Sequence, residues 1–394
     1  MNHLKQIAEK LPEYGLDAML ITSEPGERYA IGFHGEGLLL VTREEAHYTT
    51  DGRYIEAAQE QIQGADVKLI TPDSGHLAQA RAFLEERGLH NVGFESGNVT
   101  VDAHRRYSQE LPCILTPAQQ LLDDLRASKD EEELAVMRHA QEITDGAFKA
   151  VLDFIRPGMT EREIAARLVY EMMRRGGETV SFDPSVAAGP NGSRPHAVPG
   201  DQVVDTGMFI TMDFGCKVDG YCSDMTRTVA MGEPTDEMEQ VYATVLAAQR
   251  AGINAARAGA TGREVDAAGR QVIAEAGYGE YFTHSFGHSL GIDIHESPNA
   301  SPSETRPLPA GAVISAEPGI YIPGRFGVRI EDVLVLKEGG CEDITRSPQD
   351  LIVLKRVPGA GRRADSVKNR QKTLPERPRF LRIPSCQREK NRVE

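Results

Sequence analysis

The chain has 394 residues, 40% of them hydrophobic, which is enough for two domains that each bury a core. No run of about 18 apolar residues occurs and the first residues mix charged with apolar types, which argues against a membrane-spanning helix and a secretory signal. A net charge of −15 argues against a nucleic-acid partner, and five scattered cysteines without a C-x-x-C pair predict reduced thiols in the cytoplasm.

Short apolar runs alternate with helical segments in the first part of the chain. DAMLIT, GLLLVT and DVKLI have the composition of strands, whereas RYIEAAQEQI and LAQARAFLEERG have that of helices. Strands that alternate with helices predict an α/β domain, which we place at residues 1–124.

A second domain is predicted for residues 125–355. Ser128 is the predicted N-cap of its first helix, because three glutamates follow where the helix dipole favours them. Pro157 predicts the end of this helix. Its apolar residues recur in steps of three and four, which places one stripe on one face: Met137, Ala140, Ile143, Ala147, Val151 and Phe154.

An internal repeat divides the second domain. GMTEREIAARL at residue 158 resembles GATGREVDAAG at residue 259, and in the first copy Thr160 is the predicted N-cap of a helix. Each copy follows a long amphipathic helix and precedes a strand-rich segment, at 179–232 and 282–354. We interpret this pattern as a duplicated helix–helix–sheet unit, whose two sheets would pack together with a cleft between them.

The segment 356–394 is basic, with twelve Lys and Arg against four Asp and Glu. Its charge of +8, set against the total of −15, leaves −23 on the preceding residues. Because the segment has little apolar periodicity, we predict a disordered tail. A nucleic-acid- or membrane-binding arm is the alternative.

Two aspartates are predicted to meet on a hairpin. Asp219 and Gly220 form a strong turn signal, and a turn there would place Asp213 opposite Thr226. Asp224 would then lie on the same face as Asp213, at the distance of diagonal neighbours. Such proximity raises the pKa of one carboxyl group unless a cation lies between the two. The alternative is that both are ordinary surface residues.

Two glutamates and one of three nearby histidines, His284, His288 and His295, complete the candidate set. Glu317 ends an apolar run, and Glu331 shares a strand face with valines in RFGVRIEDVLVL, where a buried charge needs a partner. In THSFGHSLGIDIH the glycines disfavour a helix, so a helical zinc pair of His284 and His288 is not expected.

The charges of this set indicate a metal centre. Four carboxylates carry −4, and two divalent cations with one neutral imidazole would balance them. A site with mostly oxygen ligands suits Mn²⁺, Co²⁺ or Mg²⁺ better than a structural Zn²⁺; Mn²⁺ is the preferred ion, and Co²⁺ or Zn²⁺ is the alternative. Two such ions activate a shared water, which predicts metal-assisted hydrolysis. The proposed metal ligands are Asp213, Asp224, His288, Glu317 and Glu331.

The motifs MDFG, SDMTRT, HSFGHSLG, AEPGIY and VRIED together resemble those of the pita-bread metallopeptidases, in particular Xaa-Pro aminopeptidases and Xaa-Pro dipeptidases. The resemblance spans about residues 1–355 and includes YAIGFHG and TTDGRY of a creatinase-like N-terminal domain. It implies an α+β fold: an N-terminal α/β creatinase-like domain, then a pseudo-twofold pita-bread domain with the active-site cleft between duplicated halves.

The resemblance also implies a role for each site residue. Asp213 would bind one metal ion, Asp224 and Glu331 would bridge both, and His288 with Glu317 would bind the other. Glu317 would also act as general base and acid. The remaining catalytic candidates would contact the substrate or, for the arginine, orient the bridging carboxylates: His196, His284, His295 and Arg329.

The implied substrates are peptides with proline at the second position. Many relatives read H-E-x-P-R after the last histidine, whereas this chain reads HESPN, with Asn299 in place of the arginine. This difference favours an Xaa-Pro aminopeptidase over a dipeptidase, because an arginine would bind the carboxylate of a free proline. A methionine aminopeptidase, a metal-free creatinase-like enzyme and a non-catalytic binding protein are further alternatives. Relatives also suggest a homodimer, with the loop around His34 as a candidate contact.

Overall fold

The computed structural model describes residues 2–355, so the predicted basic tail at 356–394 lies outside the described residues. No helix within these residues has the length and apolar character needed to cross a bilayer. The predicted mixture of helices and strands is confirmed, whereas the domain boundaries at 124/125 and 355/356 stay predictions.

The N-terminal part is a six-stranded mixed sheet with helices around it. The strand order is β4-β3-β2-β1-β5-β6. Along β1, Met19 and Ile21 face one apolar core while Ala18 and Leu20 face another, so both faces of the sheet are buried. The elements are α1 Leu4–Lys10, β1 Ala18–Ile21, α2 Glu24–Ile31, β2 Leu38–Thr42, β3 Ala46–Thr50, α3 Ile55–Gln61, β4 Asp66–Leu69, α4 His76–Arg87, β5 Asn91–Phe94, α5 Val101–Glu110, β6 Ile114–Pro117 and α6 Gln119–Arg126.

The second part contains two pairs of long helices and several small sheets. Its helices are α7 Glu131–Leu152, α8 Glu161–Arg174, α9 Asp236–Ala255 and α10 Gly262–Glu275. Its strands are β7 Thr179–Val180, β8 Ser185–Ala188, β9 Met208–Phe214, β10 Cys216–Val218, β11 Tyr221–Cys222, β12 Met225–Met231, β13 Gly287–Ser289, β14 Glu296–Ala300, β15 Val313–Ala316, β16 Gly319–Ile322, β17 Phe326–Arg329, β18 Asp332–Lys337, β19 Gly340–Asp343 and β20 Ile352–Leu354. Short 3₁₀ turns lie at Leu11–Tyr14, Gly189–Ser193 and Gly279–Tyr281.

Two sheets dominate this part and face the same cleft. One has the strand order β20-β12-β9-β8 and the other β14-β13-β15-β18-β19. Helices α7 and α8 pack on the first sheet through residues such as Phe148 and Leu168, and α10 packs on the second through Val265. The sheets therefore lie inside and the helices outside, as the duplication predicts.

The two copies of the repeat have the same local structure. Thr160 caps α8 and Thr261 caps α10, and each forms a capping box with a glutamate three residues later. Each threonine also forms an isolated bridge, to Val203 in the first copy and to Pro307 in the second. The repeat read from the sequence is thus a structural duplication.

The predicted cap of α7 is wrong. Asp130, not Ser128, is the N-cap, and its carboxylate accepts a hydrogen bond from Glu133 N while the Glu133 side chain accepts one from Asp130 N. The Ser128 hydroxyl instead donates to the Ala310 carbonyl. A reciprocal pair of bonds satisfies two free N–H groups, so the capping box prevails over a single serine.

The strand predicted through RFGVRIEDVLVL is interrupted. Strand β17 ends at Arg329 and pairs with β16, whereas β18 begins at Asp332 and pairs with β15. Between them Glu331 N donates to the Thr226 carbonyl of β12, 3.1 Å away. The chain passes from one sheet to another at this point, and Glu331 lies at the crossing.

Asp343, at the end of β19, is expected to make stability depend on pH. Burial, followed by the nearby Asp332 carboxylate, raises the pKa of Asp343 to about 7. Between the ordinary pKa of 3.8 and this value the folded state holds a proton that the unfolded state has released, so this contribution to stability falls as pH rises through the interval. Asp343→Asn is expected to raise the free energy of unfolding at pH 8, by up to about 4 kcal/mol, and by less at pH 5.

Urea unfolding of wild type and variant at both pH values measures this difference. The exposed residue Glu338 provides a matched control, because Glu338→Gln also removes one acidic group. Equal changes at pH 5 and pH 8 for Asp343→Asn would contradict the prediction.

Candidate metal centre and active site

A hairpin positions the two aspartates. Asp219 and Gly220 form its turn with positive φ of 45° and 80°, and β9 pairs with β12 so that Asp213 lies opposite Thr226. The predicted register is confirmed. Asp224 precedes β12, where its backbone N–H and carbonyl both bond the Gln141 side-chain amide of α7. The two aspartates therefore face the cleft from one sheet.

The histidine and two glutamates come from the other half. His288 lies in the short strand β13, Glu317 follows β15, and Glu331 lies between β17 and β18. Gly287 must be glycine here, because a Cβ atom would lie 2.0 Å from the Ser315 carbonyl oxygen. The segment around the histidines is extended and not helical, as the glycines predicted.

His288 is oriented like a metal ligand. Its Nδ1 lies 3.2 Å from the Ser289 carbonyl oxygen, which can only accept, so Nδ1 carries the hydrogen. Its Nε2 lies 3.5 Å from Asp224 Oδ2 and 3.4 Å from Glu317 Oε1. Burial lowers the pKa of His288, which favours the neutral ring. A neutral Nε2 lone pair directed at two carboxylates calls for a cation between them.

The carboxylates have the unpaired oxygens that such a cation would bind. Asp224 Oδ1 and Glu331 Oε1 are buried and have no hydrogen-bond partner among the described residues. Ligand atoms of Asp224, His288 and Glu331 all lie within 4.8 Å of one another, so this group could hold a metal ion. The donor set of oxygens with one imidazole nitrogen fits a divalent cation.

Without a cation these acids destabilise one another. Burial raises the pKa of Asp224 well above its usual value, and the charges of Glu331, Asp213 and Glu317 raise it further. Burial likewise raises the pKa of Glu331, with Glu317 and Asp213 contributing next. The pKa of Glu317 is also raised, mainly by burial. Divalent cations would remove this repulsion.

Arg329 lines the cleft and orients the acidic side chains Asp213 and Glu331. It donates from Nη2 to Asp213 Oδ2, 2.6 Å away, and from Nε to the Thr226 hydroxyl, 3.0 Å away. That hydroxyl donates to Glu331 Oε2 at 2.8 Å. Arg329 thus orients one acid directly and another through Thr226.

Tyr321 belongs to the site, and the sequence reasoning missed it. Its hydroxyl accepts a hydrogen bond from Arg329 Nη1 at 2.9 Å and lies 2.9 Å from His284 Nε2. His284 Nδ1 lies 2.8 Å from the Ser285 carbonyl oxygen and so carries the hydrogen, which leaves Nε2 to accept from the tyrosine. The sequence spacing could have identified Tyr321. It is four residues after Glu317, and an extended chain would place both side chains on the same face.

All predicted site residues line one cleft of about 450 Å³. His295 packs edge-on against His288, with ring centroids 4.5 Å apart, and burial lowers its pKa. His196 lies at the more exposed edge of the cleft. The residues brought together are His196, Asp213, Asp224, His284, His288, His295, Glu317, Arg329 and Glu331.

A cleft between duplicated halves, with buried carboxylates grouped around a neutral imidazole, defines a metal-dependent hydrolase. Residues 135–338 match the family described as "Metallopeptidase family M24", and residues 3–128 match the "Creatinase/Prolidase N-terminal domain". The chain belongs to metallopeptidase family M24 and is a metallopeptidase with the pita-bread fold.

Two solved structures and one further relative support the same assignment. A structure described as "Xaa-Pro dipeptidase from Bacillus anthracis" is 39% identical, with a TM-score of 0.86, and the match covers 89% of this chain and 99% of that chain. An X-Pro aminopeptidase from Thermotoga maritima MSB8 is 36% identical, with a TM-score of 0.82 and coverage of 86% and 98%. "Uncharacterized peptidase YqhT" of Bacillus subtilis (strain 168) is 40% identical, with coverage of 89% and 99%.

The resemblance to Xaa-Pro peptidases is therefore confirmed at the level of the family. Both the dipeptidase and the aminopeptidase names occur among its relatives at similar identity.

Proposed function

We propose that the protein is a dimetal Xaa-Pro aminopeptidase, which removes the N-terminal residue from peptides with proline at the second position. The observation that carries the proposal is the buried acid cluster, where Asp224 Oδ1 and Glu331 Oε1 lack partners in the described part of the chain. Four carboxylates and a neutral imidazole balance two divalent cations, and the oxygen-rich set favours Mn²⁺, with Co²⁺ or Zn²⁺ as alternatives.

The proposed ligands divide between the two halves. Asp213 would hold one ion, Asp224 and Glu331 would bridge, and His288 with Glu317 would hold the other. The chemistry that such ions supply is polarisation of the peptide carbonyl and a lowered pKa of water.

Proton transfer and substrate orientation fall to the chain's own residues. Glu317, whose pKa burial raises, is suited to accept a proton from the attacking water and return it to the leaving nitrogen. The leaving nitrogen needs this proton because an unprotonated amide anion is too strong a base to depart. His196 and His295 line the cleft beside Glu317, where their ring nitrogens can contact the substrate carbonyl groups. His284 lines the same cleft, but both of its ring nitrogens are bonded, to the Ser285 carbonyl and the Tyr321 hydroxyl, so it would act by orienting Tyr321.

The preference for longer peptides follows from the charges that line the cleft. Among the cleft-lining residues that the structure describes, Arg329 is the one arginine or lysine, and it is bonded to Asp213, Thr226 and Tyr321. Asn299 also lines the cleft, and its Oδ1 accepts from Ser289 N at 3.2 Å. Among these residues no lysine or arginine is free to pair with the carboxylate of a free proline. We therefore rank the Xaa-Pro dipeptidase second.

A peptide panel tests the proposal. We expect kcat/KM for Ala-Pro-Leu and Ala-Pro-Leu-Gly to exceed that for Ala-Pro by at least about 10-fold, because the dipeptide brings its carboxylate into a cleft whose one arginine is already paired. Ala-Ala-Leu is the control for proline specificity. Faster cleavage of Ala-Pro would make the protein a dipeptidase, and no cleavage of any Xaa-Pro peptide by the Mn²⁺-loaded protein would refute the peptidase function.

Two further predictions concern assembly and location. A homodimer is expected, with the loop around His34 as a contact. Within the chain, His34 Nδ1 lies 3.1 Å from Oε2 of Glu27 in α2. A cytoplasmic location stays a prediction from the composition.

A further inference from the structure

Arg227 is a fully buried arginine directly behind the candidate metal centre. It lies on β12, three residues after Asp224, and its side chain is 1% exposed. It does not line the cleft, so the proposed chemistry does not involve it. A buried arginine is costly unless every donor is paired, and its partners therefore show what it does.

All five N–H groups of Arg227 have acceptors. Nη1 donates to the Thr226 carbonyl at 2.9 Å and to the Glu331 carbonyl at 2.6 Å. Nη2 donates to Asp332 Oδ1 at 2.6 Å and to the Ser347 carbonyl at 2.7 Å, and Nε donates to the Pro348 carbonyl at 2.9 Å. Four of the five acceptors are backbone carbonyls, so the guanidinium holds main chain in place.

Two of these carbonyls belong to the segments that carry Asp224 and Glu331. Strand β12 is in one sheet, while Glu331 lies between β17 and β18, which belong to two other sheets. No ladder of the described strands joins β12 to β18. Besides Arg227, Glu331 itself is linked to β12 by its N–H to the Thr226 carbonyl at 3.1 Å and by the Thr226 hydroxyl to its carboxylate at 2.8 Å. The neighbouring Arg329 bonds the hydroxyls of Thr226 and Thr228 on the same strand.

The charge of Arg227 is compensated locally. Asp332, its counter-ion, is also 1% exposed, and Asp332 Oδ2 accepts from the side-chain amides of Gln249 and Gln349 at 3.0 and 2.5 Å. Since a paired buried charge adds little net field at the neighbouring acids, the effect of Arg227 on a metal ion is geometric. A planar fork can bond two carbonyls at once, which a lysine ammonium cannot reproduce.

We propose that Arg227 is the positioning residue that sets the separation of Asp224 and Glu331, and thereby the affinity and geometry of the metal pair. The inference rests on the proposed function, in which these two acids bridge the ions. Arg227 acts through the Thr226 and Glu331 carbonyls and contacts neither substrate nor metal.

Metal titration of the apoprotein tests the inference. We expect Arg227→Lys to weaken Mn²⁺ binding about 10- to 100-fold by calorimetry, as loss of an outer partner of a metal ligand does elsewhere. The electron paramagnetic resonance spectrum of the Mn²⁺-loaded variant is expected to lose the exchange coupling of a bridged pair. Val229→Ala is the matched control, because Val229 is 1% exposed on the same strand, packs in the apolar core and is not bonded to either carbonyl.

Asp332→Asn is a second variant, which allows the test even if the Arg227→Lys protein does not fold. It removes the ionic partner of Arg227 and is expected to weaken Mn²⁺ binding several-fold. Wild-type affinity and spectrum in Arg227→Lys, or in Asp332→Asn where the first variant fails to fold, would overturn the positioning role. Absence of Mn²⁺ binding by the wild type would instead refute the proposed function, and with it the premise of this inference.

Discussion

The Asp224→Asn protein is expected to lose at least about 10³-fold in kcat/KM on Ala-Pro-Leu and to retain less than the two metal equivalents proposed for the wild type. Asp224 is buried, its Oδ1 has no partner in the described chain, and its Oδ2 faces His288. An amide in its place keeps the shape but removes the charge that a bridging ligand must supply. Elemental analysis after dialysis and steady-state kinetics measure the two effects.

The same substitution is expected to stabilise the protein in the absence of metal and to destabilise it in the presence of metal. Burial and the neighbouring acids raise the pKa of Asp224. The folded apoprotein is therefore destabilised increasingly as the pH rises above 3.8, the ordinary pKa of an aspartate. In the presence of EDTA at pH 8, Asp224→Asn is therefore expected to be more stable than the wild type, on the order of 1 to 3 kcal/mol. With saturating Mn²⁺ the wild type is expected to be the more stable protein, because the metal binds only its folded state tightly.

Asp183 supplies the control for this experiment. It is an exposed aspartate that lines the same cleft, and Asp183→Asn removes the same charge without touching the acid cluster. The control is expected to keep its metal. An Asp224→Asn protein that binds two equivalents of Mn²⁺ and hydrolyses peptide at the wild-type rate would contradict the ligand role.

Glu317→Gln is expected to separate metal binding from proton transfer. The variant keeps a side-chain oxygen toward the ions but cannot accept a proton, so kcat is expected to fall about 10²- to 10⁴-fold with a much smaller change in KM. Calorimetry with Mn²⁺ is expected to show binding weakened by less than in Asp224→Asn. Single-turnover kinetics over pH 5 to 9 measure the loss of the proton-transfer step.

Ser315→Ala tests the environment of the same glutamate. The Ser315 hydroxyl donates to Glu317 Oε1 at 3.2 Å and accepts from His288 N at 3.0 Å. Since this variant keeps the carboxylate, its kcat is expected to stay within about 10-fold of the wild type. A Glu317→Gln protein as active as Ser315→Ala would show that another group transfers the proton.

Features that depend on a few neighbouring residues could be predicted from the sequence. Thr160 caps its helix as predicted, and the Asp219–Gly220 turn places Asp213 opposite Thr226. Both depend on backbone geometry within one turn or one hairpin, where residue type decides the conformation. The wrong prediction at Ser128 also concerns a local feature. Asp130 forms two reciprocal bonds with Glu133 in a capping box, whereas a serine cap would form one.

The sequence by itself determined which residue types could bind metal and which local elements carry them. The meeting of Asp224 with His288 and Glu331, the hydrogen bond between Tyr321 and His284 and the bonds from Arg227 to Glu331 and Asp332 were decided by tertiary structure alone. These contacts join segments that are distant in the sequence: Tyr321 and His284 are 37 residues apart, and Arg227 and Asp332 are 105 residues apart. Their distances depend on how two packed halves settle against each other, and no local rule of turn or periodicity contains that information.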